Sequence, residues 1–291
     1  MIWFALSLGS ALAESIADVL GKLSAARYGD WSVTLWQRVG ALCLIFPAFC
    51  CAPAHIENYS PFIFSVAMSV MLNVVASIYY VQALRDAPLS LSLPILKLSP
   101  VFLLVTGPLI NHEPITLFGM VGVLLTVVGT YTMNFSKISS GLMAPLTELW
   151  RNVGMRKMLG VALLWGISSP FDKEGIRASS PTTYLVVCSL LSIILTLIIG
   201  IAIEGRSRLF DKRAARMLIP RGLCGGIVLL LQMHAFVLAP VAYVISVKRT
   251  STLFGLLWGR LIFHEQHMLE RTIGALITFV GMVIVIFLGV K

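Results

Sequence analysis

Charge is scarce in this sequence. Asp, Glu, Lys and Arg together make up 12% of it, about half the share carried by a soluble domain. Apolar residues make up 58%, and the mean hydropathy is +0.91. Such a chain belongs in a bilayer. Its net charge of +9 does not signal a nucleic-acid partner, because the basic residues sit in short loops between apolar runs, where they report membrane orientation. Cysteine is sparse too. Cys43, Cys50, Cys51, Cys188 and Cys224 all fall in apolar runs, without metal-ligand spacing or a loop pair for a disulfide, so they read as small apolar helix residues. A GxxxxGK[ST] loop is missing, which excludes the usual ATP site, and nothing implies a cofactor. His112, His264 and His267 come with no HExxH pattern or carboxylate-rich loop, which leaves a membrane-embedded enzyme with little support. A charged leader is also lacking: Met1-Ile2-Trp3 enters the first apolar run directly. The expectation is a retained first helix, no plastid or mitochondrial import, and a multi-pass protein of a cell membrane, the bacterial inner membrane.

What is present is a succession of apolar runs near 20 residues, each long enough to span as a helix. They fall at about 2–21, 33–52, 61–84, 90–110, 115–134, 157–177, 182–203, 217–238, 241–263 and 268–289. This predicts an all-α polytopic membrane protein of ten transmembrane helices. A polar linker, 135–156, divides it into 1–134 and 157–291. The linker mixes Leu, Trp and Met with Arg and Lys, the composition of a surface-lying amphipathic helix. Five spans per half is an odd number, so homologous halves enter the membrane from opposite sides. The layout is an inverted repeat, common in secondary transporters.

The repeat is visible in the residues. Laid over each other without a gap, 83–129 and 235–281 are identical at about a third of positions. Ala87-Pro88 falls on Ala239-Pro240, Ser99 on Ser251, Gly107 on Gly259, and His112-Glu113 on His264-Glu265. Gly122 and Gly129 fall on Gly274 and Gly281. Lys97 falls on Arg249, with Lys248 beside it. These cations lie roughly 10–15 Å along a helix inside apolar runs. In the first spans, Ser15, Asp18 and Gly21 match Ser169, Asp172 and Gly175.

Charge inside a span costs at least about 2.5–3.5 kcal/mol and needs a reason. Lys97, Lys248 and Arg249 are read in two ways: salt bridges to Glu14, Asp18 or Asp172, or an anion-binding cluster between the repeats. Glu14, Asp18 and Lys22 are spaced four apart and make one polar stripe. It is either a helix end with an ion pair or a cavity wall, with Glu14 or Asp18 as a proton or cation site. Asp172, beside Lys173 and Glu174, carries the same two readings. Asn73, Tyr80 and Gln82 in the third span, with Gln232 and His234 at matching places in the eighth, are candidates for a shared cavity. Arg38 reads as a headgroup anchor. Pro94 and Pro100 predict a bend in the fourth span near Lys97. Glu113 and Glu265 read as caps of the helices that follow them. The glycine stripes of the fifth and tenth spans suit close packing, internal or in a homodimer. The basic loops, taken alone, place both termini outside the cytoplasm.

Ten helices, homologous halves and the Gly…His-Glu…Gly…Gly pattern closing each half resemble the drug/metabolite transporter superfamily, EamA type. The resemblance covers essentially the whole chain. It implies a central cavity between the halves, alternating access, a small-molecule substrate, and termini in the cytoplasm, opposite to the charge count. Lys97, and Lys248 with Arg249, stand where the triose-phosphate translocator branch holds phosphate. That similarity implies a small organic anion, phosphorylated in that branch, as the substrate. The other reading of the same residues is an exporter of amino acids or hydrophobic cations that uses the acidic positions.

Overall fold

A computed structural model of the chain describes residues 2–22, 28–52, 54–87, 95–132, 151–255 and 268–289. The described residues contain helices and no strand. The helices are α1 (Ile2–Lys22), α2 (Asp30–Cys50), α3 (Tyr59–Asp86), α4 (Ser99–Asn111), α5 (Leu117–Thr132), α6 (Val153–Arg177), α7 (Pro181–Glu204), α8 (Lys212–Leu238), α9 (Val241–Lys248) and α10 (Met268–Ile284, continued by a wider turn, Val285–Gly289). One extra turn, Arg206–Leu209, lies between α7 and α8. The chain is an all-α polytopic membrane protein of two inverted five-helix repeats. α1, α2, α3, α7 and α8 are each long and apolar enough to cross a bilayer. Large apolar side chains such as Phe64, Leu109, Ile198 and Phe287 face outward, as a lipid solvent allows.

Local chemistry ends these helices where the sequence changes character. Ala87 and Ala239 each precede a proline, and a residue in that place is pushed out of the helical region. Both are extended, at φ −134° and −150°, and each N–H still reaches the carbonyl four residues back at 3.1 Å. α4 ends at His112 with a left-handed φ of 53°. Asn152 caps α6 through the Gly154 N–H at 2.8 Å, and Glu204 at the end of α7 caps α2 through the Trp31 N–H at 3.0 Å.

The halves pack around a pseudo-twofold. α1 lies on α8, and its counterpart α6 lies on α3; α2 meets α7, α4 meets α9, and α5 meets α10. The α5–α10 seam repeats the symmetry atom by atom. A methyl group on Gly129 would strike the Thr278 N–H and the Gly274 carbonyl, and one on Gly281 would strike the Thr126 N–H and the Gly122 carbonyl. The glycine stripes are therefore spent on this internal seam. A homodimer would have to use another surface.

The fourth and ninth spans depart from the continuous helices expected at 90–110 and 241–263. Both break at the cation, at matched places. The Leu98 N–H bonds the Ile95 carbonyl at 3.0 Å, and Val101 bonds Leu98 at 2.9 Å; Thr250 bonds Val247 at 2.9 Å, and Leu253 bonds Thr250 at 2.8 Å. These are three-residue turns inserted into an α-helix. Pro94 lies outside the described residues, and the ninth span has no proline at its break. There the Thr250 and Thr252 hydroxyls donate to the Val247 and Arg249 carbonyls, a back-bonding that bends helices.

Glu113 does not cap α5. It reaches across to the other half, where its Oε2 accepts the Val241 N–H at the start of α9 at 2.9 Å. Glu265, His264 and His267 lie outside the described residues, as does most of the 135–156 linker.

Candidate functional site

α1–α4 and α6–α9 enclose a central cavity of about 370 Å³, inside the range of small-molecule sites, about 300–1,000 Å³. Of the residues singled out in the sequence, Glu14, Asp18, Asn73, Tyr80, Lys97, Asp172, Gln232, Lys248 and Arg249 line it. Gln82 and His234 do not. Each lies two residues beyond a lining position, Tyr80 and Gln232, and two helical residues turn a side chain about 200° away. His234 is exposed, with Nδ1 against the Leu230 carbonyl of its own helix at 2.7 Å.

On the side of α1, α4 and α9 the wall is cationic. The broken helices bring Lys97 and Arg249 to the repeat interface, where both are almost wholly buried. Arg249 donates through Nη2 to the Ser99 hydroxyl of the opposite half. Its Nη1 stands 3.8 Å from one Glu14 oxygen, and Lys248 Nζ stands 3.8 Å from the other. Lys248 also donates to Gln232 Oε1 at 2.7 Å. Glu14 thus bridges two cations loosely and fully neutralises neither. Among the described residues Lys97 Nζ has no hydrogen-bond partner. Asp18, one turn beyond Glu14, is solvent-accessible and lies in the combined field of Lys97, Arg221 and Lys248. The side chain of Lys22 lies outside the described residues.

The α3 wall is a hydroxyl and amide ladder. Ser69, Asn73 and Ser77 recur every four residues, so they share one face. Arg38 is not a headgroup anchor: its Nη2 donates to the Asn73 carbonyl at 3.1 Å and to the Ser77 hydroxyl at 3.0 Å, and it lines the cavity. The Asn73 amide donates to Ser69 Oγ at 3.1 Å. Ser69 in turn donates to Asp172 Oδ1 at 2.5 Å, and the Tyr184 hydroxyl donates to the same oxygen at 2.9 Å. Tyr80 and Trp165 form an aromatic pair on this side, with ring centroids 5.8 Å apart.

The three consecutive ionisable residues of α6 part ways, since each step turns about 100°. Asp172 faces the cavity. Lys173 points behind it to Glu113, at 2.5 Å, and to the Ala239 carbonyl, at 2.7 Å. Glu174 meets Arg177 at 2.6 Å and Asn111 at 2.8 Å. The Glu113–Lys173 pair lies behind the wall, and Phe62 packs edge-on against Tyr184, which lines the cavity.

Arg221, Ser69 and Ser77 were not singled out from the sequence. Arg221 sits inside the eighth apolar run, and the four-residue spacing of Ser69, Asn73 and Ser77 was a legible polar stripe. Among the described residues no cluster of ligating side chains could hold a metal ion.

The EamA-like transporter family matches the chain twice, over residues 1–135 and 152–287. No curated protein matches it. Among solved structures, one crystal structure superposes with a TM-score of 0.77 at 13% identity, covering 99% of each chain. Identity that low bears on the fold alone.

Proposed function

The chain belongs to the EamA-like transporter family, and from that premise we propose that it is a secondary carrier moving a small organic anion by alternating access through the central cavity. The observation that carries this reading is the charge of the lining. Arg38, Lys97, Arg221, Lys248 and Arg249 face it, against the carboxylates Glu14, Asp18 and Asp172. Buried charge in a membrane is retained for use, and here the excess is positive. Arg249 offers a planar fork and Lys97 a point charge that, among the described residues, makes no direct ion pair, a combination suited to carboxylate or phosphate. Glu14 and Asp18, set among those cations, are the groups we assign to proton or ion coupling, since protonating either one changes how strongly the cluster holds an anion.

Transport of radiolabelled anions into proteoliposomes tests this. Lys97→Ala and Arg249→Ala should abolish it while the purified protein keeps its size-exclusion profile. Unchanged anion transport by both variants would refute the reading. The aromatic pair Tyr80–Trp165 favours a second reading, export of hydrophobic cations. In that case Asp18→Asn would be the damaging change and Lys97→Ala the mild one.

A further inference from the structure

The junction of α7 and α8 gathers cations without partners. Arg206 and Arg208 lie on the single turn Arg206–Leu209, and Lys212, Arg213 and Arg216 lie in the first turns of α8. All of them are exposed, and among the described residues none forms an ion pair. The two acids of the stretch are committed elsewhere. Glu204 accepts the Trp31 and Ser32 N–H groups at 3.0 and 3.3 Å, and Asp211 accepts the Arg213 N–H at 2.8 Å. Each carboxylate caps a helix, and neither answers a cation.

The patch is held in a fixed place. Leu209 is fully buried, and its carbonyl accepts from Trp36 Nε1 at 3.1 Å and from the Ser32 hydroxyl at 3.4 Å. On α8, Ala214 and Leu218 share the buried face. Lys212, Arg213 and Arg216 share an exposed one, since residues three and four apart are neighbours on a helix. Like charges gathered at the positive end of a helix repel one another and the helix dipole. An anion from outside the chain offsets both costs.

Two features choose the anion. α7 and α8 are each long enough to cross a bilayer, so their junction lies at its surface. Apolar side chains adjoin the cations: Ile203 is 64% exposed and Phe210 44%, with the Phe210 ring edge-on to Trp36. A soluble anion leaves those groups uncovered, whereas a lipid brings acyl chains along with its phosphate. Arginine holds a phosphate as a planar fork. We propose that this junction is a binding site for an anionic phospholipid: Arg206, Arg208, Lys212, Arg213 and Arg216 hold its phosphate diester, and Ile203 and Phe210 lie along its acyl chains. None of these residues lines the central cavity, so the site is independent of what the cavity carries.

Native mass spectrometry of the detergent-purified full chain tests this, with phosphatidylglycerol and phosphatidylcholine of the same acyl chains as probes. Phosphatidylglycerol should bind at least about tenfold tighter, since each cation at a membrane surface is worth roughly fivefold. Arg206→Gln with Arg208→Gln should lower that preference by about fivefold or more, and so, separately, should Lys212→Gln, Arg213→Gln and Arg216→Gln together. Phosphatidylcholine binding should not change in either variant. Arg151→Gln with Arg156→Gln removes two other exposed cations, at the entry to α6, and should leave the preference intact. Glycerophosphoglycerol, the same headgroup without acyl chains, should not displace phosphatidylglycerol at equal concentration. Equal affinity for the two lipids overturns the proposal, as does a preference that survives both patch variants. A preference that falls as far in the Arg151/Arg156 variant also overturns it, because the attraction is then a diffuse one shared by all the basic loops. Displacement by the free headgroup would make the occupant a soluble phosphate and overturn the lipid assignment.

Discussion

Lys173 Nζ lies 2.5 Å from Glu113 Oε1, with the two side chains 7% and 3% exposed, and this pair ties the loop after α4 to α6 of the other half. The same two residues hold the start of α9, through the Val241 N–H and the Ala239 carbonyl. Removing one member leaves the other charged and buried, which costs about 3–5 kcal/mol. Lys173→Met and Glu113→Gln should each lower the melting temperature sharply. The double variant should recover much of the loss, because the glutamine oxygen still accepts from Val241 and no charge is stranded. Thermal unfolding of the four proteins in one detergent gives the cycle. Single variants that melt like the parent would show that water reaches the pair.

The α5–α10 seam makes a second prediction. On Gly281 a methyl group would lie 2.7 Å from both the Gly122 carbonyl and the Thr126 N–H. Backbone atoms cannot swing aside as a side-chain tip can, so Gly281→Ala must push the helices apart, at about 1–3 kcal/mol. Gly225→Ala is the control, since nothing lies within 4 Å of the added methyl. The first should lower the yield of monodisperse protein and the second should not. Equal yields would place the two helices farther apart than described.

The sequence made the ten spans and their pairing legible, because span length and a 152-residue echo, from Lys97 to Arg249 and Ser99 to Ser251, need no knowledge of contacts. It also placed a bend near Lys97. The direction of each side chain was harder to read. In wholly apolar helices no polar face marks the interior, so Gln82 and His234 looked as good as Tyr80 and Gln232, and Arg38 looked like an anchor because it lies near the start of its run. The break at Arg249 had no proline to announce it. The role of Glu113 depended on Lys173 and Val241, more than 55 residues away in the chain, and local pattern carries no such pairing.

Glu14 sets the strength of the cationic cluster. It stands 3.8 Å from both Lys248 and Arg249, competing with any anion for them. Glu14→Gln should therefore tighten anion binding, by about tenfold or more at the effective dielectric of a partly wet site, and slow release. Binding titration and exchange rates in proteoliposomes would read the two effects. A Glu14→Gln variant that binds more weakly would show that the carboxylate orients Arg249 and does not compete with the substrate.

Arg38 separates an anchor from a ligand. A headgroup anchor needs only a positive charge on a long stem, so Arg38→Lys would be silent in transport and Arg38→Ala would reduce insertion without changing KM. The structure instead directs the guanidinium across to α3, where Nη2 bonds the Asn73 carbonyl and the Ser77 hydroxyl while the side chain lines the cavity. Lysine keeps the charge but loses the fork that bonds to α3 and offers further N–H groups to a substrate. Stability should suffer little in either variant, about 1–2 kcal/mol, since Ser77 already donates to the Asn73 carbonyl at 2.6 Å. The KM for an anionic substrate should rise about tenfold in Arg38→Ala and by an intermediate factor in Arg38→Lys, the loss expected when a desolvated charge contact is removed. Unchanged KM in both would confine Arg38 to bracing α2 against α3.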